Sequence, residues 1–187
     1  MGKAYAVFSA IGADRVGIVD DLAGLLSEGG GNIEESKMAV LGGEFAVMML
    51  VSMEDSALDA LIARSPEIES RLGLKIGVKM TRASAREAGI RASERGRPYA
   101  LETISLDGKG IVRSVSAVLR AYGINIEDLE TRTELAPLTG APLFRMKADI
   151  VIGPDVAIGA LRRELEELQA AQDLDISLTA LVPARRD

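Results

Sequence analysis

An internal repeat constrains the fold of this chain more than any other feature of its sequence. The segment Asp14-Arg-Val-Gly-Ile-Val19 is similar to Asp107-Gly-Lys-Gly-Ile-Val112, and Asn32-Ile-Glu34 is similar to Asn125-Ile-Glu127. Both pairs have the same displacement, 107 − 14 and 125 − 32, which is 93 residues. Because two matches share one register, the 187-residue chain is predicted to contain two similar halves.

Each half has the hydrophobic pattern of four strands and two helices. In the first half, strands are expected over 4–11, 33–41, 45–51 and 74–80, with one helix from about residue 18 to the glycines 29–31 and another over 52–62, extended or broken at Pro66. In the second half, strands are expected over 99–106 and 174–182 around a long hairpin, with helices over 111–122 and after Gly153-Pro154-Asp155. The order βαββαβ predicts a ferredoxin-like α+β fold, with two helices on one face of each antiparallel sheet.

The repeat also predicts the domain boundaries, at 1–82 and 97–187. The segment 83–96 is rich in Ala, Ser, Arg and Glu and has no apolar stripe, so we expect it to be a linker. Apolar residues occupy both parities of the strand 47–51, which includes Met48 and Met49, two residues expected in the core. An open sheet face or edge is therefore expected to pack on a partner. Two copies on one chain are expected to pack on each other, with further pairing between chains into a homodimer or a higher homo-oligomer.

Composition excludes several classes of function. The chain has no His, Cys or Trp, so an imidazole base, a thiolate nucleophile or a Cys/His zinc site is excluded. A net charge of −6 and only three Tyr and three Phe disfavour direct binding of nucleic acid. The sequence has no apolar stretch long enough for a membrane span and no signal-peptide pattern, so we expect a cytoplasmic protein with no membrane association.

The repeated motifs resemble those of ACT domains. In that family a D/N-x-x-G loop starts the first helix and Asn-Ile starts the second strand, and both elements occur twice here with the same spacing. The segment Met38 to Val51, in a two-domain chain of this length, further resembles the glycine cleavage system transcriptional repressor family. The resemblance implies a non-catalytic regulator that senses a small amino acid, glycine or serine, and acts through a partner protein such as a transcription factor. It implies no cofactor and no metal.

The resemblance also implies a set of ligand-binding residues at the interface between two domains. These are Asp14, Arg15, Val16, Gly17, Asn32 and Ile33 in the first copy, and Asp107, Gly110, Asn125 and Ile126 in the second. Amide groups at a helix N-terminus would donate hydrogen bonds to the ligand carboxylate, and the Asp carboxylate would pair with the ligand ammonium group. The sequence departs from the family pattern because Val16 and Lys109 replace the usual Pro, and Gly108 occupies the position of Arg15.

The Asp, Gly and Asn residues of this set also have a purely structural interpretation. Asp14 and Asp107 are suited to cap a helix, and Gly17 and Gly110 to allow close packing of helix on sheet. Asn32 and Asn125 are suited to a left-handed turn before a strand. These alternatives stay open at the level of sequence, whereas Gly29-Gly-Gly31 is best interpreted as the end of a helix.

Three other functions remain as alternatives to a ligand-binding regulator. A dimerisation or scaffold module without ligand would explain the missing Pro and the altered second copy. A small enzyme would need carboxylates and Lys or Arg, and no constellation of such residues stands out. A nucleic-acid module rests on analogy of fold alone.

Overall fold

A computed structural model of the chain describes residues 2–81, 84, 87, 95–106, 108–137 and 139–181. It divides into two compact units, Met1–Ile90 and Arg91–Asp187. Most of the linker expected over 83–96 lies outside the described residues, so the boundaries 1–82 and 97–187 remain predictions.

The N-terminal unit is a βαββαβ fold. Its elements are β1 (Lys3–Ala13), α1 (Ile18–Glu28), β2 (Asn32–Leu41), β3 (Glu44–Glu54), α2 (Asp55–Leu72) and β4 (Lys75–Thr81). The four strands form one antiparallel sheet in the order β2-β3-β1-β4.

The C-terminal unit repeats this order. Its elements are β5 (Arg97–Leu106), α3 (Ile111–Ala121), β6 (Asn125–Leu135), β7 (Pro142–Ile152), α4 (Ile158–Gln172) and β8 (Asp175–Ala180). The sheet order is β6-β7-β5-β8, which corresponds strand by strand to the first sheet. The predicted pair of ferredoxin-like α+β units is confirmed.

The core of each unit lies between the sheet and its two helices. In the first unit the even-numbered residues of β1, such as Phe8, pack with Phe45 of β3 and with Leu22 and Leu58 of the two helices. All four side chains are almost fully buried. Burial of such a side chain contributes about 1.5–3 kcal/mol, so strand alternation and helical periodicity together stabilise the fold.

In each unit the two described helices pack on one face of the sheet, and the opposite face is called the open face here. Met49 is buried in the core, but Met48 points to the open face and is 60% exposed. The expectation that both methionines lie in the core is therefore wrong for Met48, because neighbouring residues of a strand point to opposite faces.

For the helices, the structure decides one alternative that the sequence left open and corrects one prediction. Helix α2 continues through Pro66, because Leu61 and Ile68 anchor it to the core on either side and the Ser65 hydroxyl donates a hydrogen bond to Leu61 O over 3.1 Å. Helix α4 begins at Ile158 rather than at Gly153-Pro-Asp, since that segment forms a turn closed by a Val156 N to Gly153 O hydrogen bond.

Candidate functional site

The loop between β1 and α1 holds the first group of candidate residues, Asp14 to Gly17. The Asp14 amide donates to Gly43 O in the β2–β3 turn over 2.9 Å, which fixes the start of the loop. Helix α1 has Gly17 as its N-cap and no side chain bonds its first amides. Its first amide donors are therefore available to an acceptor outside the helix.

Asp14 does not cap this helix. It lies three residues before the N-cap, and its exposed carboxylate makes no hydrogen bond or ion pair with any residue that the structure describes. The capping interpretation of Asp14 is therefore wrong, and its carboxylate remains available as a charged acceptor.

Gly17 and Gly110 occupy the same position and conformation in the two units. Their φ angles are 87° and 91°, in the left-handed region, and each is the N-cap of its helix. A Cβ built on either residue would meet no atom within 4 Å. Close packing of helix on sheet is therefore not the reason for these glycines. The backbone conformation requires them, and it leaves open space beside the helix start.

Charged groups surround the helix start in the first unit. Arg15 Nη2 lies 2.6 Å from Asp21 Oδ2, and Asp20 stands beside it in the first turn of α1. Val16 is fully exposed. The Arg15–Asp21 ion pair compensates one of the two acidic charges, so the amides of α1 face a net negative first turn.

The second unit has a different electrostatic environment at the same place. The first turn of α3 has no acidic residue, and Lys109 precedes its N-cap. Ser114 stands where the first unit has Asp21, and its hydroxyl donates to Gly110 O over 3.2 Å. Asp107, a predicted ligand-binding residue, lies outside the described residues. The helix dipole is therefore less compensated in the second unit, which favours an anion there.

The second group of candidate residues lies at the start of β2 and of β6. Asn32 Nδ2 donates to Glu34 Oε1 over 3.3 Å, and Asn125 Nδ2 donates to Glu127 Oε1 over 3.1 Å. In both strands the register shifts at this point, so Glu34 and Glu127 are the extra residues of a β-bulge.

The asparagines are not left-handed turn residues. Left-handed φ angles occur before these strands at Gly30 and Gly123, and among the described non-glycine residues only at Asp173. That interpretation of Asn32 and Asn125 is wrong. Each Asn is instead held by its own Glu through the amide nitrogen, and its Oδ1 remains an acceptor.

Glu34 was missed as a candidate residue, although the repeated triplet Asn-Ile-Glu contains it. Its Oε1 accepts from Ser52 Oγ over 2.6 Å and from Lys3 Nζ over 3.2 Å, besides Asn32. These hydrogen bonds, the one from Ser52 foremost, lower the pKa of Glu34 below its usual range. The hydrogen bond to Glu34 in turn raises the pKa of Lys3.

The two groups of residues lie at opposite ends of each unit. Asp14 to Gly17 follow the end of β1, whereas Asn32 pairs with Ser52 near the other end of the sheet. Strand β2 has 10 residues, and such a strand spans roughly 33 Å. Ile33 and Ile126 lie next to Asn32 and Asn125 and so belong to the second group. One domain alone therefore does not bring the two groups together.

No group of three or more Asp or Glu residues in the described part of the chain is arranged to hold a metal ion. None of the described helices has the length and apolar character needed to cross a membrane.

Comparison with known proteins assigns the class. Residues 4–79 match the ACT domain family. The N-terminal unit therefore belongs to the ACT-domain family, and the second unit repeats its topology and its Gly-capped helix.

Among characterised proteins, the chain is similar to the glycine cleavage system transcriptional repressor. The repressors of Escherichia coli and Shigella flexneri are each 33% identical over 132 residues, which is 71% of this chain and 66% of the repressor's own length. The matched stretch thus spans just under two thirds of those relatives.

Two solved structures share the fold of this chain. A protein of unknown function from Galdieria sulphuraria is 32% identical, with a TM-score of 0.77 over 97% of this chain and 100% of its own. A second structure, 22% identical over 97% of this chain and 99% of its own with a TM-score of 0.70, supports the fold alone.

Proposed function

We propose that this protein binds a small amino acid, glycine or serine, and regulates transcription through a partner protein without catalysing a reaction. The binding residues are Asp14, Arg15, Val16, Gly17, Asn32 and Ile33, with Asp107, Gly110, Asn125 and Ile126 in the second copy. The loop of one domain and the strand start of another would contribute to one site, because a single domain holds them apart. Neither a cofactor nor a metal is part of the proposal.

The uncapped helix start at a left-handed glycine carries this proposal. At Gly17 and at Gly110 the first amides of the helix have no side-chain cap, and the space beside the glycine is open. A ligand carboxylate would accept hydrogen bonds from these amides. The free carboxylate of Asp14 and the Oδ1 of an Asn would accept hydrogen bonds from the ligand ammonium group.

The two copies are expected to differ in affinity. Asp20 and Asp21 in the first turn of α1 oppose a ligand carboxylate, whereas α3 has no acid there and is preceded by Lys109. A charge beside a helix terminus changes the energy by about 0.3–1 kcal/mol. We therefore expect the helix start at Gly110 to bind the carboxylate more tightly.

Regulation through a partner rests on the related repressors and on charge. A net charge of −6 disfavours contact with nucleic-acid phosphates, so a separate DNA-binding protein would supply that contact. A scaffold module without ligand is the second candidate, and the acidic first turn of α1 favours it for the first copy alone.

A thermal-shift experiment tests the proposal. Glycine at 100 times its dissociation constant should stabilise the intact protein by about 2.7 kcal/mol, and leucine should have no effect. Asp14→Ala and Asn125→Ala should reduce the shift. Asp59→Ala is the matched control, since Asp59 is exposed on α2, and it should leave the shift unchanged.

If none of the twenty amino acids shifts the unfolding midpoint, ligand binding is refuted and the scaffold candidate is favoured. Equal shifts in the wild type and both variants would exclude a site that contains Asp14 or Asn125.

A further inference from the structure

The open face of the N-terminal sheet is apolar at its centre. The residues there are Val7 and Ile11 of β1 with Ala46, Met48 and Leu50 of β3, which alternate with the core residues of the same strands. Ile11 is 53% exposed and Met48 is 60% exposed. A contiguous group of apolar side chains at the centre of a sheet face is typical of an interaction surface.

The C-terminal sheet provides an internal comparison, because its strands pair in the same order and register. Where the first sheet pairs Val7 with Leu50, the second pairs Ala100 with Asp149. In the next row, Ser9 with Met48 corresponds to Glu102 with Lys147.

The two open faces therefore differ in chemistry although they share one fold. The second face carries the charged residues Glu102, Lys147 and Asp149 where the first face has Ser9, Met48 and Leu50, although Asp149 Oδ1 is buried without a partner among the described residues. The apolar character of the N-terminal face is thus not a requirement of the fold.

Opposite charges mark the two ends of one row across the apolar face. The row runs Glu35, Leu50, Val7, Lys79 across strands β2, β3, β1 and β4. Three strand spacings separate Glu35 from Lys79, which is about 14 Å. Neither charge has an ion-pair partner among the residues that the structure describes.

We propose that this face binds the same face of a second copy of the chain, about a twofold axis parallel to the strands. Rotation about such an axis keeps each row opposite itself and reverses its direction. Glu35 then faces the partner's Lys79, and Lys79 faces the partner's Glu35, while Leu50 packs on the partner's Val7. Such an isologous contact closes with two copies.

The neighbouring rows are compatible with this arrangement. The row that begins at Lys37 ends at Gly77, and the row that begins at Ala39 ends at Lys75. Reversal therefore places no two like charges opposite each other. A twofold axis along the rows would instead place Glu35 on the partner's Glu35. Aligned packing of two sheets, with an angle near 30° between their strand directions, is compatible with the twofold axis parallel to the strands.

The test measures the oligomeric state of the intact chain by analytical ultracentrifugation. The wild type is expected to be a dimer. Met48→Glu should weaken dimerisation at least about 100-fold, because it places a charged group at the apolar centre of the contact. Lys147→Glu, at the matched position of the second sheet, should leave dimerisation unchanged. Both side chains are exposed, so unaltered circular dichroism is the control for folding.

A charge exchange tests the orientation. Glu35→Lys and Lys79→Glu should each weaken the dimer, and the double variant should restore it. A monomeric wild type, a Met48→Glu variant that dimerises as the wild type does, or a double variant no better than the single ones would overturn the proposal. A monomeric wild type destabilised by Met48→Glu would show instead that this face is covered within the chain.

Discussion

Asn32 and Glu34 form a hydrogen bond of 3.3 Å at a β-bulge, and the second unit repeats it between Asn125 and Glu127. The bulge leaves Glu34 unpaired in the strand ladder, and its carboxylate turns to the amide of Asn32, two residues earlier. This local bond fixes the orientation of the asparagine. The Asn-Ile motif therefore depends on a third residue, a glutamate, to hold its side chain in place.

Glu34→Gln should make stability less dependent on pH in the acid range. Because hydrogen bonds lower the native pKa of Glu34 below its ordinary value of 4.5, the ionised carboxylate stabilises the fold above that pH. The contribution is lost as the pH falls through the native pKa. The variant should therefore have a lower Tm than the wild type at pH 7, and the difference should shrink below about pH 4.5.

The same comparison with Asp59→Asn is the control for the loss of one carboxylate. A difference between Glu34→Gln and the wild type that stays constant from pH 7 to pH 3 would refute the role assigned to the ionised Glu34.

Gly17→Ala should destabilise the protein by about 1–2 kcal/mol, since an L residue is strained in the left-handed conformation. The open space around Gly17 means that the cost comes from the backbone alone. Gly24→Ala, within α1, is the matched control and should stabilise by about 0.5–1 kcal/mol. Urea unfolding measures both changes. Equal effects of the two substitutions would contradict the conformational argument.

Thr103→Val should stabilise the C-terminal unit by about 1 kcal/mol. Thr103 is completely buried, and its hydroxyl has no hydrogen-bond partner in the described part of the structure. An unpaired buried hydroxyl costs about 1–3 kcal/mol, which valine removes with little change of shape. Thr179→Val, on the exposed side of β8, should have a much smaller effect on urea unfolding. Destabilisation by Thr103→Val would indicate that an ordered water satisfies the hydroxyl.

Asp20→Asn should change stability and ligand affinity in opposite directions. Removal of the acid weakens the favourable interaction with the α1 dipole, which lowers stability by about 0.3–1 kcal/mol. The same change should strengthen binding of a ligand carboxylate at that helix start. Titration calorimetry with glycine and urea unfolding give the two quantities, and a weaker affinity in the variant would argue against carboxylate binding there.

The sequence was sufficient to predict the fold because two independent signals agreed. The constant displacement of the Asp14 and Asn32 motifs predicted the duplication, and strand and helix periodicity predicted the element order. The length of α2 was less certain, because the tendency of Pro66 to end a helix is local and core contacts on both sides outweigh it. The predicted start of α4 at Gly153-Pro154-Asp155 was wrong, because this segment forms a turn before the helix.

The candidate site was predicted less completely than the fold. Gly17 is required by its left-handed backbone conformation, but the sequence motif alone could not distinguish that explanation from close packing of helix on sheet. The role of Glu34 arises from a register shift that no pattern of hydrophobicity reveals. The exposure of Met48 follows from strand parity, but an apolar residue at that position suggested a core location.

Titration of the intact protein with glycine and with serine by isothermal calorimetry tests the central claim most directly. The account predicts saturable binding of at least one of the two amino acids, weakened by Asp14→Ala or Asn125→Ala and unchanged in Asp59→Ala. If neither glycine nor serine shows saturable binding, the central claim is contradicted.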